Sequence, residues 1–85
     1  MPRELLLDAR ELEPPEPFEQ ATSLLREMEP GQYLRMLHRR VPYPLFDFCQ
    51  GMSLQYRLVQ EGHESYDIII YFPVDEYSLR QVNLL

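Results

Sequence analysis

The sequence has no lysine and no tryptophan, only three glycines, and a single cysteine, Cys49. One cysteine excludes a disulfide framework, on which a small secreted domain usually depends. So few glycines leave no glycine-rich phosphate loop and no dinucleotide-binding fingerprint. The longest apolar run, Ile68–Pro73, is far too short to cross a bilayer. Because the N-terminus also shows no signal-peptide pattern, these absences predict a cytoplasmic protein without a membrane span.

The charge of the chain is negative overall but unevenly distributed. Its 85 residues carry 14 acidic and eight basic side chains, a formal net charge of −6. This sign disfavours nucleic acid and acidic membranes as partners. Residues 1–30 hold eight acids and three arginines, whereas residues 31–60 hold one acid and four arginines. Arginine suits fixed ionic contacts, so the basic middle segment is the first candidate for a binding surface.

Prolines and apolar periodicity divide the first half of the chain into three elements. The apolar run Glu4–Asp8 predicts a buried strand, and acids and prolines at Pro15–Pro17 predict the start of a helix. An apolar stripe continues this helix, and it consists of Phe18, Ala21, Leu24, Leu25 and Met28. Alternation over Gln32–His38 predicts a second strand. A strand, a helix and a strand form a βαβ unit, whose two strands we expect to be parallel.

The second half predicts a shorter helix and two more strands. Pro42 and Pro44 open the helix, and its predicted apolar face consists of Leu45, Phe48, Cys49 and Met52. Alternation over Leu54–Leu58 predicts a half-buried strand, which a hairpin turn joins to the strand Tyr66–Phe72. The last strand is apolar on both sides, so we expect it inside the sheet rather than at its edge.

We assign residues 1–73 to the domain and residues 74–85 to a C-terminal tail that carries several apolar side chains. Two helices cover only one face of a sheet. Three roles for the tail therefore stay open: it covers the second face, it forms a contact between subunits of a homo-oligomer, or it is frayed.

The segments that follow the first strand, end the first helix and lie in the second helix are familiar: Leu7–Pro17, Met28–Gln32 and Phe48-Cys49. Together they resemble the TusA/SirA-like sulfur-carrier family of bacterial proteins, and the resemblance extends over residues 5–72. His38–Leu45, with its two prolines, is similar to an uncharacterised bacterial branch of that superfamily. The resemblance implies an α+β two-layer sandwich with the order β-α-β-α-β-β. In that fold two helices pack on one face of a mixed four-stranded sheet.

The motif Pro14-Pro15-Glu16-Pro17 departs from the sulfur carriers at its first position. In that family a cysteine immediately before Pro-Glu-Pro carries a persulfide, at a helix N-terminus whose partial positive charge stabilises a thiolate. Pro14 occupies the matching position and has no nucleophile. The resemblance therefore implies the scaffold without sulfur transfer by the family's route.

Cys49, the only thiol, has two interpretations. One is a relocated sulfur carrier or a redox sensor, since some members of the resembling family carry a cysteine in this helix. The other is a small core residue, because Cys49 shares the predicted apolar face and free cysteine is among the most buried residue types. We favour the core residue.

A basic rim is predicted at one edge of the sheet, formed by Arg10 after the first strand and by His38, Arg39 and Arg40 after the second. Parallel strands end at the same edge, and both predicted helices begin there. Helix N-termini and arginines together favour a site for a small anion or an acidic protein partner. The alternative is a solvated charge network, in which the arginines pair with Glu11, Glu13 and Glu16.

We expect no metal, no cofactor and no conventional enzyme activity. His38 and His63 lie on different elements without a ligand spacing, and no Ser/His/Asp arrangement is recognisable. The sequence therefore predicts a non-catalytic binding or adaptor module that contacts a protein partner or a small anion at the rim. The resemblance suggests bacterial redox, sulfur or nitrogen-oxide metabolism as its setting. The alternative function is a sulfur carrier or redox-responsive protein acting through Cys49.

Overall fold

The structure, a computed structural model, describes residues 1–85. Its elements are β1 (Arg3–Asp8), α1 (Glu16–Glu27), β2 (Gln32–His38), α2 (Tyr43–Gly51), β3 (Gln55–Gly62), β4 (Ser65–Tyr71), a short 3-10 turn (Pro73–Asp75) and α3 (Glu76–Gln81). The predicted order of four strands and two helices is confirmed, and α3 is added in the tail. None of the three helices has the length and apolar character that a bilayer crossing requires.

The four strands form one mixed sheet in the order β1-β2-β4-β3. β1 and β2 run parallel, as expected for two strands joined through a helix. β4 is antiparallel to both of its neighbours, β2 and β3. The predicted interior position of the last strand is confirmed, and its side chains are buried on both sides of the sheet.

The main core lies between the sheet and the pair α1 and α2. Its buried members are Leu7, Ala9, Ala21, Leu25, Met28, Leu34, Met36, Leu45, Phe46, Cys49, Leu54, Ile68 and Ile70. Full burial of one large aliphatic side chain contributes roughly 1.5–3 kcal/mol to folding. This layer therefore supplies most of the hydrophobic stabilisation of a small domain, and it confirms the α+β sandwich.

Both predicted helix faces are shifted slightly in the structure. Phe18 and Met52, expected in the core, are 40% and 39% exposed. Met52 leaves the face because α2 ends at Gly51 and the chain turns there towards β3. Phe46 is buried instead, since its ring stacks on Tyr56 of β3 with centroids 3.9 Å apart. The prediction for Met52 was wrong because it extended the helix past Gly51.

The tail covers the second face of the sheet. Tyr33, Ile69, Tyr71 and Leu79 form a separate buried cluster there, and Leu84 and Leu85 pack against it. Two hydrogen bonds hold the tail in place: Gly31 N donates to Asp75 Oδ2 (2.8 Å), and Arg57 Nη1 donates to the Leu84 carbonyl (3.2 Å). Of the three roles that the sequence left open for the tail, the structure shows the first: it covers the second face of the sheet.

Replacing Leu79 tests how strongly the tail is attached. Leu79 is fully buried, whereas Tyr77 on the same helix is 74% exposed. We expect Leu79→Ala to lower the free energy of unfolding by about 3 kcal/mol, because it removes transfer energy and leaves a cavity. Tyr77→Ala, the matched control, should change it by less than about 0.5 kcal/mol. Urea titration measures both, and equal small effects would show a tail that contributes nothing to stability.

Candidate functional site

A pocket of about 400 Å³ lies beyond the carboxyl ends of β1 and β2. It is formed by the segment after β1, the start of α1, the end of β2 and the segment that leads into α2. Its lining residues are Ala9, Leu12, Glu13, Pro14, Pro15, Pro17, Phe18, Met36, His38, Arg39, Arg40, Val41, Pro42, Pro44 and Leu45. The pocket therefore lies at the edge where the sequence predicts the rim, and three of the four rim residues, His38, Arg39 and Arg40, line it.

The register of the two parallel strands builds this pocket. Asp8 pairs with Leu37, and Ala9 N donates to the Leu37 carbonyl at 2.8 Å. The strands therefore end side by side, and the chain leaves both of them at the same edge. α1 and α2 begin within a few residues of that edge, so four segments converge around one space.

The pocket has an apolar floor. Ala9, Met36 and Leu45 line it, and each is at most 1% exposed. Phe18 forms part of a wall, where its ring meets Phe48 edge to face at 6.4 Å. Phe18 is partly exposed, although it lies on the apolar stripe of α1, because one side of its ring borders the pocket.

Proline residues leave few amide donors at the two helix starts. In the first turn of α1, Pro17 has no N–H, and the N–H groups of Glu16 and Glu19 already donate to carbonyl groups at 2.9 and 3.0 Å. In the first turn of α2, Pro44 likewise has none. There the N–H groups of Tyr43 and Leu45 donate to carbonyl groups at 3.0 Å. The helix dipoles still point at the pocket, but the predicted use of helix N-termini as amide cradles for an anion has little support in this geometry.

His38 is a neutral donor in the pocket wall. Its Nδ1 accepts the N–H of Arg39 at 3.0 Å, so the proton of the neutral ring sits on Nε2. Burial lowers the pKa of His38, and the nearby guanidinium groups of Arg40 and Arg39 lower it further. Each of these causes disfavours the imidazolium form.

The predicted rim arginines divide into two groups. Arg10 is not among the lining residues, because its Nε and Nη2 donate to Asp8 at 2.8 and 2.7 Å. This contact lowers the pKa of the Asp8 carboxyl to about 2. Arg39 and Arg40 do line the pocket, are exposed, and take part in no ion pair.

The rim contains no close ion pair between its arginines and Glu11, Glu13 or Glu16, the acids expected to pair with them in a solvated charge network. Asp8 pairs with Arg10 instead, two positions along the chain. The other ion pairs, those of Arg35 and Arg80, belong to β2 and α3. Among the lining residues two guanidinium groups thus face one carboxylate, that of Glu13.

Cys49 lies in the main core and is fully buried. Burial raises the pKa of its thiol to about 11. Since the thiolate is the reactive form, this buried and protonated thiol is a poor nucleophile. His63 lies in the turn between β3 and β4, far along the chain from His38, and no group of three or more His, Cys, Asp or Glu residues is placed to hold a metal ion.

Sequence reasoning missed the apolar part of the pocket. Leu12, Val41 and Phe18 line it, although the predicted rim contained only basic residues. One signal was available in the sequence. Met36 and His38 are two positions apart in β2 and therefore lie on the same side of the strand, so His38 continues an apolar surface. The two apolar residues in otherwise polar connections, Leu12 and Val41, complete that surface.

Alkylation of Cys49 tests whether its thiol is accessible. We expect the native protein to react with iodoacetamide only at the rate of its unfolding, because the thiol is buried and protonated. A variant with Cys49→Ala and Gln50→Cys moves the thiol to the next, exposed residue of the same helix, and it should react at once. Mass spectrometry follows both. Rapid modification of native Cys49 would revive its role as a sulfur carrier or redox sensor.

The pH dependence of stability tests the neutral state of His38. Its pKa lies below the ordinary 6.5 in the folded protein, so as pH falls below about 6.5 the unfolded chain takes up a proton that the folded protein resists. The contribution of His38 is therefore complete above that pH and is lost towards acid. We expect the difference in unfolding free energy between the wild type and His38→Gln to shrink from pH 8 to pH 5 in urea titrations. A difference for His38→Gln that is constant over this range would contradict the assignment.

Comparison with known proteins places the chain in a family. A family model described as an uncharacterized conserved protein family, DUF2249, matches residues 6–71, which include the second half of β1, the other three strands and both helices of the main layer. No curated protein and no solved structure matches the chain.

Proposed function

The chain belongs to the DUF2249 family of uncharacterised conserved proteins, and from this membership and the geometry of its pocket we propose that it is a non-catalytic binding or adaptor module. It holds a small anion, or an anionic group of a protein partner, in the pocket at the carboxyl ends of β1 and β2. The observation that carries this proposal is the pair Arg39 and Arg40: two guanidinium groups without an acidic partner, beside an apolar floor.

Five of the eight arginines in this protein are engaged, and Arg3 is the only free one outside the pocket. Arg10, Arg35 and Arg80 form ion pairs. Arg57 donates to a carbonyl group, and Arg26 lies over the Phe48 ring at 5.3 Å. An arginine without such a contact keeps all of its donors for a ligand. Two neighbouring residues of this kind in one pocket, in a chain with a net charge of −6, favour recognition of an anion at this place.

We further propose that the scaffold is a variant of the TusA/SirA-like sulfur carriers from which the carrier thiol has been lost. The strand order of a mixed four-stranded sheet and the Pro-Glu-Pro start of α1 support this relation. Pro14 lines the pocket at the position where those carriers place their cysteine. The site keeps the location of a carrier site but has no nucleophile there, and a role in cytoplasmic redox, sulfur or nitrogen-oxide metabolism of bacteria follows from the relation.

Removal of the two free arginines of the pocket tests the proposal. We expect at least one of the anions phosphate, sulfate, thiosulfate and acetate to shift the backbone amide NMR signals of His38–Val41 and of the segment after β1. The variant with Arg39→Gln and Arg40→Gln should lose these shifts, because no other cation lines the pocket. Any protein that copurifies with the wild-type chain through the pocket should likewise be lost from this variant.

The control carries the same change of net charge elsewhere. Arg3→Gln with Arg80→Gln removes two exposed arginines, one at the opposite end of β1 and one on α3 over the other sheet face. This variant should bind as the wild type does. If neither an anion nor a protein depends on Arg39 and Arg40 more than on Arg3 and Arg80, the proposed function is wrong.

A further inference from the structure

We infer that the ligand of this pocket is a small organic carboxylate with an apolar body, and not an inorganic oxyanion. The inference rests on the proposed function and specifies its ligand. Three observations carry it: the size and walls of the pocket, the kind of donor that faces it, and the charge of the surface around it.

The size and walls of the pocket fit an apolar body. A volume of about 400 Å³ lies within the range of roughly 300–1,000 Å³ that is typical of small-molecule sites. Leu12, Phe18 and Val41 are at least partly exposed, and they offer carbon atoms rather than donors on its walls. A hydrated sulfate or phosphate ion gains nothing from such walls, whereas a hydrocarbon body gains free energy from every apolar area that it removes from water.

The donors of the pocket fit a carboxylate. Arg39 and Arg40 present planar guanidinium groups, which match the two oxygens of a carboxylate in a bidentate arrangement. His38 adds one further N–H through Nε2, since its Nδ1 already accepts the Arg39 amide.

Inorganic oxyanions at helix N-termini are usually held by several free backbone N–H groups. This pocket offers few of them: Pro17 and Pro44 remove one N–H from each helix start, and the N–H groups of Glu16, Glu19, Tyr43 and Leu45 donate to carbonyl groups within the first turns. The polar contacts therefore come mainly from side chains beside apolar walls, an arrangement that suits a carboxylate on a hydrocarbon body.

The surface around the pocket favours a free small acid over an acidic segment of a protein. Glu11, Glu13 and Glu16 flank the opening without any cationic partner, and the whole chain carries a net charge of −6. An acidic protein surface would be repelled by these carboxylates across its whole contact area. A single carboxylate on an apolar body meets two arginines and only one carboxylate, that of Glu13, once it has entered.

The experiment compares an acid with its uncharged analogue. The probe is 3-phenylpropionate, followed by amide NMR shifts of the full chain at constant ionic strength. We expect saturable shifts at Ala9, Leu12, Met36 and His38–Val41. We expect 3-phenylpropionamide, which has the same body without the charge, to bind about tenfold more weakly than the acid. The acid should likewise bind about tenfold more weakly to the variant with Arg39→Gln and Arg40→Gln than to the wild type. Arg3→Gln with Arg80→Gln should bind the acid with unchanged affinity.

Three outcomes would overturn the inference. If the amide binds as tightly as the acid, the carboxylate is not recognised. If sulfate shifts the same amides with equal affinity, or if a hexaglutamate peptide binds through Arg39 and Arg40 while 3-phenylpropionate does not, the ligand class is wrong although the proposed function stands. If none of these probes shifts any pocket amide, the inference fails, and the proposed function then depends only on the copurified protein. The comparison of probes on the wild type decides the matter even if an arginine variant folds poorly.

Discussion

The parallel pairing of β1 with β2 is the constraint on which the rest of the site depends. Parallel strands must be joined by a crossover, so α1 has to return to the starting end of the sheet before β2 begins. The carboxyl ends of both strands then lie together at the opposite edge, with Ala9 hydrogen-bonded to Leu37. This arrangement brings the two helix starts together, leaves an apolar space between them and places His38 beside that space. A single antiparallel pair in its place would send the two chain exits to opposite ends.

Prolines give the pocket its chemical character. Five of them line it, from the Pro14–Pro17 motif and from the start of α2. Proline is well suited to the first turn of a helix because its missing N–H is not needed there. The same property makes the helix starts poor in donors, so that the side chains of the segment His38–Arg40 provide the polar contacts that backbone amides provide in many α/β sites. The pocket has the location of an anion site in such a fold, with side chains in place of the backbone.

Much of the fold could be predicted from local signals, and the site only in part. Proline positions and the periods of 3.6 and 2 residues marked the elements, and a last strand apolar on both sides had to lie inside the sheet. Local signals could not predict which arginines are paired and which are free. Arg10 and Arg39 both follow a strand end, but Asp8 is close enough to bind Arg10, and side-chain competition of this kind needs coordinates. The burial of Phe46 likewise depends on a ring of β3 that is distant in sequence.

The strand that joins the two halves of the sheet is also the last to leave the ribosome. β4 lies between β2 and β3 and fills both layers, with Ile68 and Ile70 on one side and Ile69 and Tyr71 on the other. A nascent chain therefore exposes one edge of β2 and the apolar sides of both helices until residues 65–71 have been synthesised. Nothing earlier in the chain can replace them, so this domain completes its sheet after nearly all of its residues have been made. During that interval the open edge is the part of the chain most prone to pair with a wrong partner.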